Sequence, residues 1–468
     1  MHRAASISLS VLCLLVPSQG QAQTATNLEA LRGLAPVSAL AASPEGQAAL
    51  DANLTITGDI QSGRAKQPTL LPFHEQQQLA LRDCFITDGN ATQLADGLGT
   101  RLEAAYQGKA RYTSPTQFTS AAKSVADLIA YTNNITKSDS NAGKFFFANG
   151  TTNGTKPVST DAAEIFATVG GVADIFGKAY GRPAGAEGAD RFGNSRPFQT
   201  EPFLIAYRGN DYFGNPSHTL DWLLGPSMPL VNSPSYPSGH TTYGYTESLL
   251  LALLVPERYQ QMVARGAEYG NNRIVVGAHY AMDVLGGRAV AMHAVAHLLA
   301  NDPAYVGPPR TNPAVDDPMG RAPDNAVSIS DYRAALDKAR TELKGILEAG
   351  CGDTLAACAA DDQGRFKDQA AVETFYRTTQ TYGLPAIHRD TAQDVGRLAP
   401  EAGYLLTAAF PSLTLEEANG ILTETLGPGG GFLNTADSAF GLYSRIDLYA
   451  AAGKAGQRAA GRKRATAE

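Results

Sequence analysis

Apolar residues recur at three- and four-residue spacing over residues 94–106, 120–131 and 161–178, the period of helices that bury one face. Two later stretches, 240–255 ending at Pro256 and 278–300 ending before Pro303, are apolar on nearly all sides, as helices inside a bundle are. Between the two groups, residues 181–239 are rich in Gly, Pro, Asn and Tyr, the composition of a long irregular segment of the kind that carries function. Ser330 can cap a helix that runs to Ala349 and stops at Gly350, and Thr414 with Glu417 forms a capping box for another that stops at Gly427. Alternating strand patterns are almost absent. The pattern predicts an all-α fold, a helical bundle with a mostly helical C-terminal extension.

The same reading divides the chain into a signal peptide (1–22), a surface wrap with weak periodicity (23–70), a helical catalytic domain (71–303), a Pro-rich linker (304–327), the extension (328–452) and a basic, Ala-rich disordered tail (453–468). Arg3 followed by a short apolar run, then Pro17 and the small residues around Ala22, has the layout of an export signal. No later stretch reaches the ~20 apolar residues that span a bilayer, so the expected protein is secreted or periplasmic, with no transmembrane segment in its mature form. Cys351 and Cys358 are close enough to close a small disulfide loop, which leaves Cys84 as a buried thiol. The 468 residues are 43% hydrophobic and 18% charged, enough for a large core, and the net charge of -7 argues against a nucleic-acid partner.

Three clusters carry candidate chemistry. Arg191 and Arg196-Pro197 lie in the Gly/Asn-rich segment, Pro237-Ser238-Gly239-His240 stands where a loop enters a buried helix, and Arg273 is followed by His279 and Asp283. His279 and Asp283, four residues apart, would share one helix face. The carboxylate would then hold the imidazole Nδ1–H and leave Nε2 as a nucleophile. Arg273 would fold back over the start of that helix, where a guanidinium fork and backbone amides suit the oxygens of a phosphate. Ser238 offers a hydroxyl, Gly239 allows close backbone approach, and His240 is aimed at whatever the loop binds. Taken singly, each cluster reads as an ordinary surface pair, a helix cap or two solvated arginines.

In order, the clusters read Arg-Pro, then Pro-Ser-Gly-His, then Arg-x5-His-x3-Asp. This set resembles the signature of the type 2 phosphatidic acid phosphatase superfamily, which includes bacterial class A acid phosphatases, lipid phosphatases and vanadium haloperoxidases. The resemblance is sharp from about Arg191 to Ala300. It departs at Asn272, where serine is usual, and at Ala189, where the family has a lysine seven residues before the arginine. Arg191 is the nearby substitute; Arg182-Pro183 with Lys178 has the wrong spacing. The resemblance implies metal-independent hydrolysis of a small phosphate ester. His279 would be the nucleophile, Asp283 its orienter and His240 the general acid and base, with Arg196, Ser238, Gly239, Arg273 and Arg191 on the phosphate. It implies no cofactor; vanadate would bind as a phosphate mimic or, in a haloperoxidase, as the cofactor itself. A phosphate-ligand binding protein without turnover is the remaining reading, and an oriented nucleophile is superfluous to it.

Other residues are less specific. His293 and His297, one helical turn apart, have the spacing of a zinc pair, but the sequence shows no third ligand, so they are read as bundle core and no metal is expected. His218, near Trp222, is a candidate pocket residue, and Tyr236 and Tyr243 flank the second cluster as walls or packing.

Overall fold

A computed structural model describes residues 25–64, 69–115, 117–201, 204, 206–224, 230–307, 327–387, 392–428, 431–435 and 438–465. Residues 1–22, expected to be a signal peptide, and most of the segment expected to be a Pro-rich linker lie outside these residues. The longer helices are α1 (Ala25–Leu34), α2 (Pro44–Ser62), α3 (Phe73–Asp83), α4 (Lys123–Asn149), α5 (Gly239–Leu254), α6 (Tyr259–Val275) and α7 (Ala281–Leu299). The extension adds α8 (Tyr332–Cys351), α9 (Gln369–Thr378), α10 (Leu415–Glu424), α11 (Ala439–Tyr443) and α12 (Leu448–Ala465). Among the described residues the strands are two short hairpins, Arg111–Ser114 with Gln117–Thr119 and Arg208–Asn210 with Pro216–His218. The all-α expectation holds.

Helix α5 packs against α4, α6 and α7 at the centre of the bundle. Its run Leu249–Leu254 is buried on every side, each leucine contributing about 1.5–3 kcal/mol of apolar burial. Ser238 caps it, its Oγ accepting the Thr241 amide at 3.1 Å, and Pro256 prevents its continuation. Helix α7 starts at Ala281 rather than at 278, because Gly277 adopts φ +80° and turns the chain between α6 and α7. His279 therefore precedes the helix instead of lying on it.

Several boundaries differ from the pattern for identifiable reasons. Helix α4 runs on past residue 131 to Asn149 with Asn133, Ser138, Ser140 and Asn141 buried, polar residues that hide its amphipathic period. The segment 94–106 breaks at Gly99 (φ +88°), and 161–178 breaks at Gly170 and Gly171, both at positive φ. The cap of α8 is Asp331, not Ser330, and its stop is Gly352 (φ +75°), not Gly350. The capping box of Thr414 and Glu417 forms as expected, though α10 ends at Glu424.

Two of the expected outlying pieces belong to the body of the protein. The 23–70 segment is no surface wrap: Leu31, Leu34, Ala49 and Leu50 are fully buried, and α1 packs on α4. The tail from 453 is not disordered through residue 465; it continues α12, with Ala455 buried against the core. Alanine, lysine and arginine are good helix formers, and α12 packs on α6. The extension shares one apolar core with the bundle. Tyr376 meets Tyr245 hydroxyl to hydroxyl at 2.8 Å, Tyr259 donates to the Leu405 carbonyl at 2.9 Å, and Tyr332 meets Thr132 at 2.6 Å. Buried charges join them further. Arg265 holds Asp83 at 2.7 Å and Asp96 at 2.6 Å, and Arg365 of the extension reaches Glu268 at 2.6 Å. Cys351 and Cys358 are disulfide-bonded, and Cys84 is a buried free thiol.

Candidate active site

The turn between α6 and α7 and the loop before α5 bring the two histidines together. Their ring centroids are 6.0 Å apart. His279 is fully buried, whereas His240 is only partly so. Asp283 sits at the third position of α7 and its Oδ2 accepts the Tyr280 amide at 2.9 Å, a capping interaction. The same oxygen faces His279 Nδ1 at 3.3 Å and accepts the Ser235 hydroxyl. The expected His–Asp pair thus forms across a helix cap rather than along a helix face.

Arg196 fixes the other side of the ring. Its Nη1 lies 3.0 Å from His279 Nε2. A guanidinium can only donate, so Nε2 is an acceptor and the proton of the neutral ring is on Nδ1, toward Asp283. Arg196 is itself locked by the carbonyls of Ser233 (2.6 Å), Pro234 (3.2 Å) and Ala278 (2.9 Å). Burial lowers it to about 9, which leaves it charged at neutral pH. Gly193 makes the preceding loop possible: it adopts φ +95°, and a Cβ there would stand 2.7 Å from the Asp174 carboxyl.

Burial first, then the charges of Arg196, Arg273, His240 and Lys144, hold His279 well below the usual imidazole value of 6.5. Burial raises Asp283 to about 7, against the hydrogen bonds from Ser235 and the Tyr280 amide. Arg273 occupies the last turn of α6 rather than folding back over a helix start. Its Nη1 donates to Cys84 Sγ at 3.4 Å. Burial works against its charge, but Cys84, Tyr269 and Tyr243 raise it above its ordinary value. The first-turn amides of Gly239 and His240 complete the cradle at the N-terminus of α5.

Arg191 is not in this cradle. It is exposed, with its guanidinium 4.3 Å from the centre of the Phe192 ring. A cation from elsewhere does approach the site: Lys144, near the end of α4. Its Nζ would be 3.1 Å from a Cβ at Gly239, and its charge acts on His279. Lys144 was missed because it lies roughly 50 to 140 residues from the motifs, a distance that local spacing cannot span; its one signal is its place on a helix with buried polar positions.

The remaining candidates pack. Tyr236 is fully buried and donates to the Leu34 carbonyl at 3.2 Å. Tyr243 donates to the Ile86 carbonyl at 3.0 Å while its ring centroid lies 5.4 Å from that of His240. His218 accepts the Leu220 amide at 3.1 Å. Asn272, where serine was expected, donates to Asp83 at 2.8 Å.

The PAP2 superfamily model matches residues 187–304, which hold Arg196, Ser238, His240, Arg273, His279 and Asp283. Residues 187–304 are a PAP2 superfamily domain. The non-specific acid phosphatase of Salmonella typhimurium is 48% identical over 61 residues, 13% of this chain and 24% of that protein. The one from Providencia stuartii is 42% identical over 72 residues, 15% of this chain and 29% of its own length. The acid phosphatase of Zymomonas mobilis is 45% identical over 64 residues, 14% and 24% respectively. The chain thus spans about a quarter of the length of the relatives it matches. The PAP2 domain accounts for α5–α7; α1–α4 and α8–α12 surround it outside the matched residues.

Proposed function

We propose that this protein is an exported acid phosphatase that hydrolyses small phosphate monoesters through a phosphohistidine on His279, without a metal or other cofactor in the reaction. The observation that carries this reading is the single tautomer of His279, its Nε2 lone pair facing the site and its ring 6.0 Å from His240. The partial relatives, which are acid phosphatases, point the same way, and among the described residues no helix is long and apolar enough to cross a membrane.

When the ester binds, the Arg196 N–H passes from Nε2 to a phosphoryl oxygen. Nε2 then attacks phosphorus as the P–O bond to the alcohol breaks, and His240 gives its proton to the departing oxygen. Asp283 stabilises the positive ring. A water then attacks phosphorus, His240 takes its proton, the P–N bond breaks and phosphate leaves. Arg196, Arg273, Lys144 and the α5 amides neutralise the equatorial oxygens, which is most of what phosphoryl transfer asks of a protein. Vanadate should compete as a mimic of phosphate.

The test is p-nitrophenyl phosphate hydrolysis at acid and neutral pH, with chelator present, by the wild type and His279→Ala, together with trapping of labelled phosphoenzyme. Turnover and trapped label should vanish together in His279→Ala. Undiminished turnover in that variant refutes the mechanism, and halogenation with vanadate, peroxide and bromide in the absence of ester hydrolysis refutes the function.

A further inference from the structure

At the other end of α7, about 15–20 Å along the helix from Asp283 at 1.5 Å per residue, a second polar cluster is built from distant parts of the chain. His293 and His297 present their rings on one face of α7, centroids 4.4 Å apart. Glu29 arrives from α1 and Glu401 from the short turn Pro400–Gly403. Glu29 Oε1 lies 3.1 Å from His293 Nε2 and 3.9 Å from His297 Nε2, and Glu401 Oε1 lies 3.5 Å from His297 Nε2. One ligand atom each from Glu29, His293 and His297 falls within 4.8 Å of the others. The third ligand that the sequence did not show is therefore supplied by the first helix.

The protonation pattern sets this cluster apart from a packed core pair. His297 Nδ1 is 2.7 Å from Asp302 Oδ2. An ionised carboxylate only accepts, so the Nδ1 proton belongs to that contact and Nε2 of a neutral ring is a lone pair. That lone pair points at two carboxylate oxygens. Acceptor facing acceptors is repulsive unless a cation stands between them, either a second proton on His297 or a metal ion.

We infer that the cation is a divalent zinc ion, held by His293 Nε2, His297 Nε2 and Glu29, with a water to complete the tetrahedron. Zinc takes nitrogen and oxygen ligands tetrahedrally at about 2.0–2.2 Å, so neighbouring ligand atoms are separated by roughly 3.3–3.5 Å. The separations of 3.1 and 3.9 Å from Glu29 to the two rings bracket that edge. The outer shell has the form metal-binding histidines need: Asp302 orients His297, and Tyr305 meets His293 Nδ1 at 3.4 Å and Glu29 Oε2 at 3.2 Å. Tyr443 donates to Glu401 at 2.7 Å. His293 is 2% exposed, whereas Glu29 is 40% exposed, which gives an ion a way in. Since its ligands come from α1 and α7, the ion ties the first described helix to the centre of the bundle.

The experiment strips the full-length protein with chelator and titrates it with zinc against a chromogenic competitor. We expect one equivalent bound, a rise in melting temperature, and the strong visible absorption of a tetrahedral site when cobalt replaces zinc. Asp302→Asn should weaken zinc roughly 10- to 100-fold by disorienting His297. His297→Gln should abolish stoichiometric binding yet keep its initial rate on phosphate esters, and His279→Ala should bind zinc like the wild type, so failure of this site and failure of the phosphatase reading are separable. Wild-type protein that is folded and takes up neither zinc nor cobalt stoichiometrically overturns the inference and leaves His297 as a protonated ion-pair partner. Wild-type zinc affinity in a folded His297→Gln variant overturns it equally.

Discussion

Replacing Lys144 by methionine keeps the length of the side chain and removes its charge, so it isolates what the amine does. Lys144 comes from α4, against the Gly239 backbone at the start of α5, which places a positive charge beside the cradle. A unit charge about 4 Å from a phosphoryl oxygen in a site of effective dielectric ~20 is worth about 4 kcal/mol, and removing one such donor from a preorganised site typically costs about 2.7–4 kcal/mol. Because Lys144 is only partly buried, the lower end applies: a fall of roughly 100-fold in kcat on p-nitrophenyl phosphate. A second readout comes from His279. The ring must be neutral to attack, and burial and four nearby cations hold it well below 6.5, so the acid limb of the rate profile lies below that pH. Lys144 is one of those cations, so removing it raises the ring and moves the limb to higher pH. Arg191→Ala should do neither, since Arg191 stacks on Phe192 in solvent. A Lys144→Met enzyme within threefold of wild type and with an unmoved limb, or an Arg191→Ala enzyme that loses the activity, would refute this account of the cradle.

Asp283→Asn should cut kcat on the order of a thousandfold, because the amide no longer dictates the Nδ1–H tautomer; steady-state assays on protein with wild-type circular dichroism check it. Arg265→Met leaves Asp83 without its buried cation, while Asp96 keeps Arg365, and should cost about 3–5 kcal/mol in urea unfolding. Reducing Cys351–Cys358, which closes a loop with a sequence separation of 7, should cost about 2 kcal/mol, read as a drop in the urea midpoint with and without reductant.

The parts of the site that were legible are those packed into short motifs. Arg196, His240, Arg273, His279 and Asp283 sit at turns and helix ends whose local chemistry is written in adjacent residues. What escaped was assembled through space. Lys144 and Glu29 each reach their clusters from helices that carry no motif of their own. The apolar run from 278 puts His279 on the helix, whereas the left-handed turn at Gly277 delays the helix start to Ala281. The tail from 453 was read by its charge and alanine content, while the few alanines of α12 that seat it against the bundle are visible only in the packed structure.

Gly33 of α1 lies so close to the Phe440 ring of α11 that even a methyl group would collide with it. These two residues, about 400 positions apart, meet in one of the longest-range contacts the chain contains, the kind that slows folding most. The ribosome must release nearly the whole polypeptide before the first helix finds its final neighbour. Until then its Gly33 side stays wetted and available to a chaperone, while Leu34 is already seated beside Gly143 of α4. A chain cut short of Ala439 would uncover the Gly33 side of that helix and leave its seat on α4 in place.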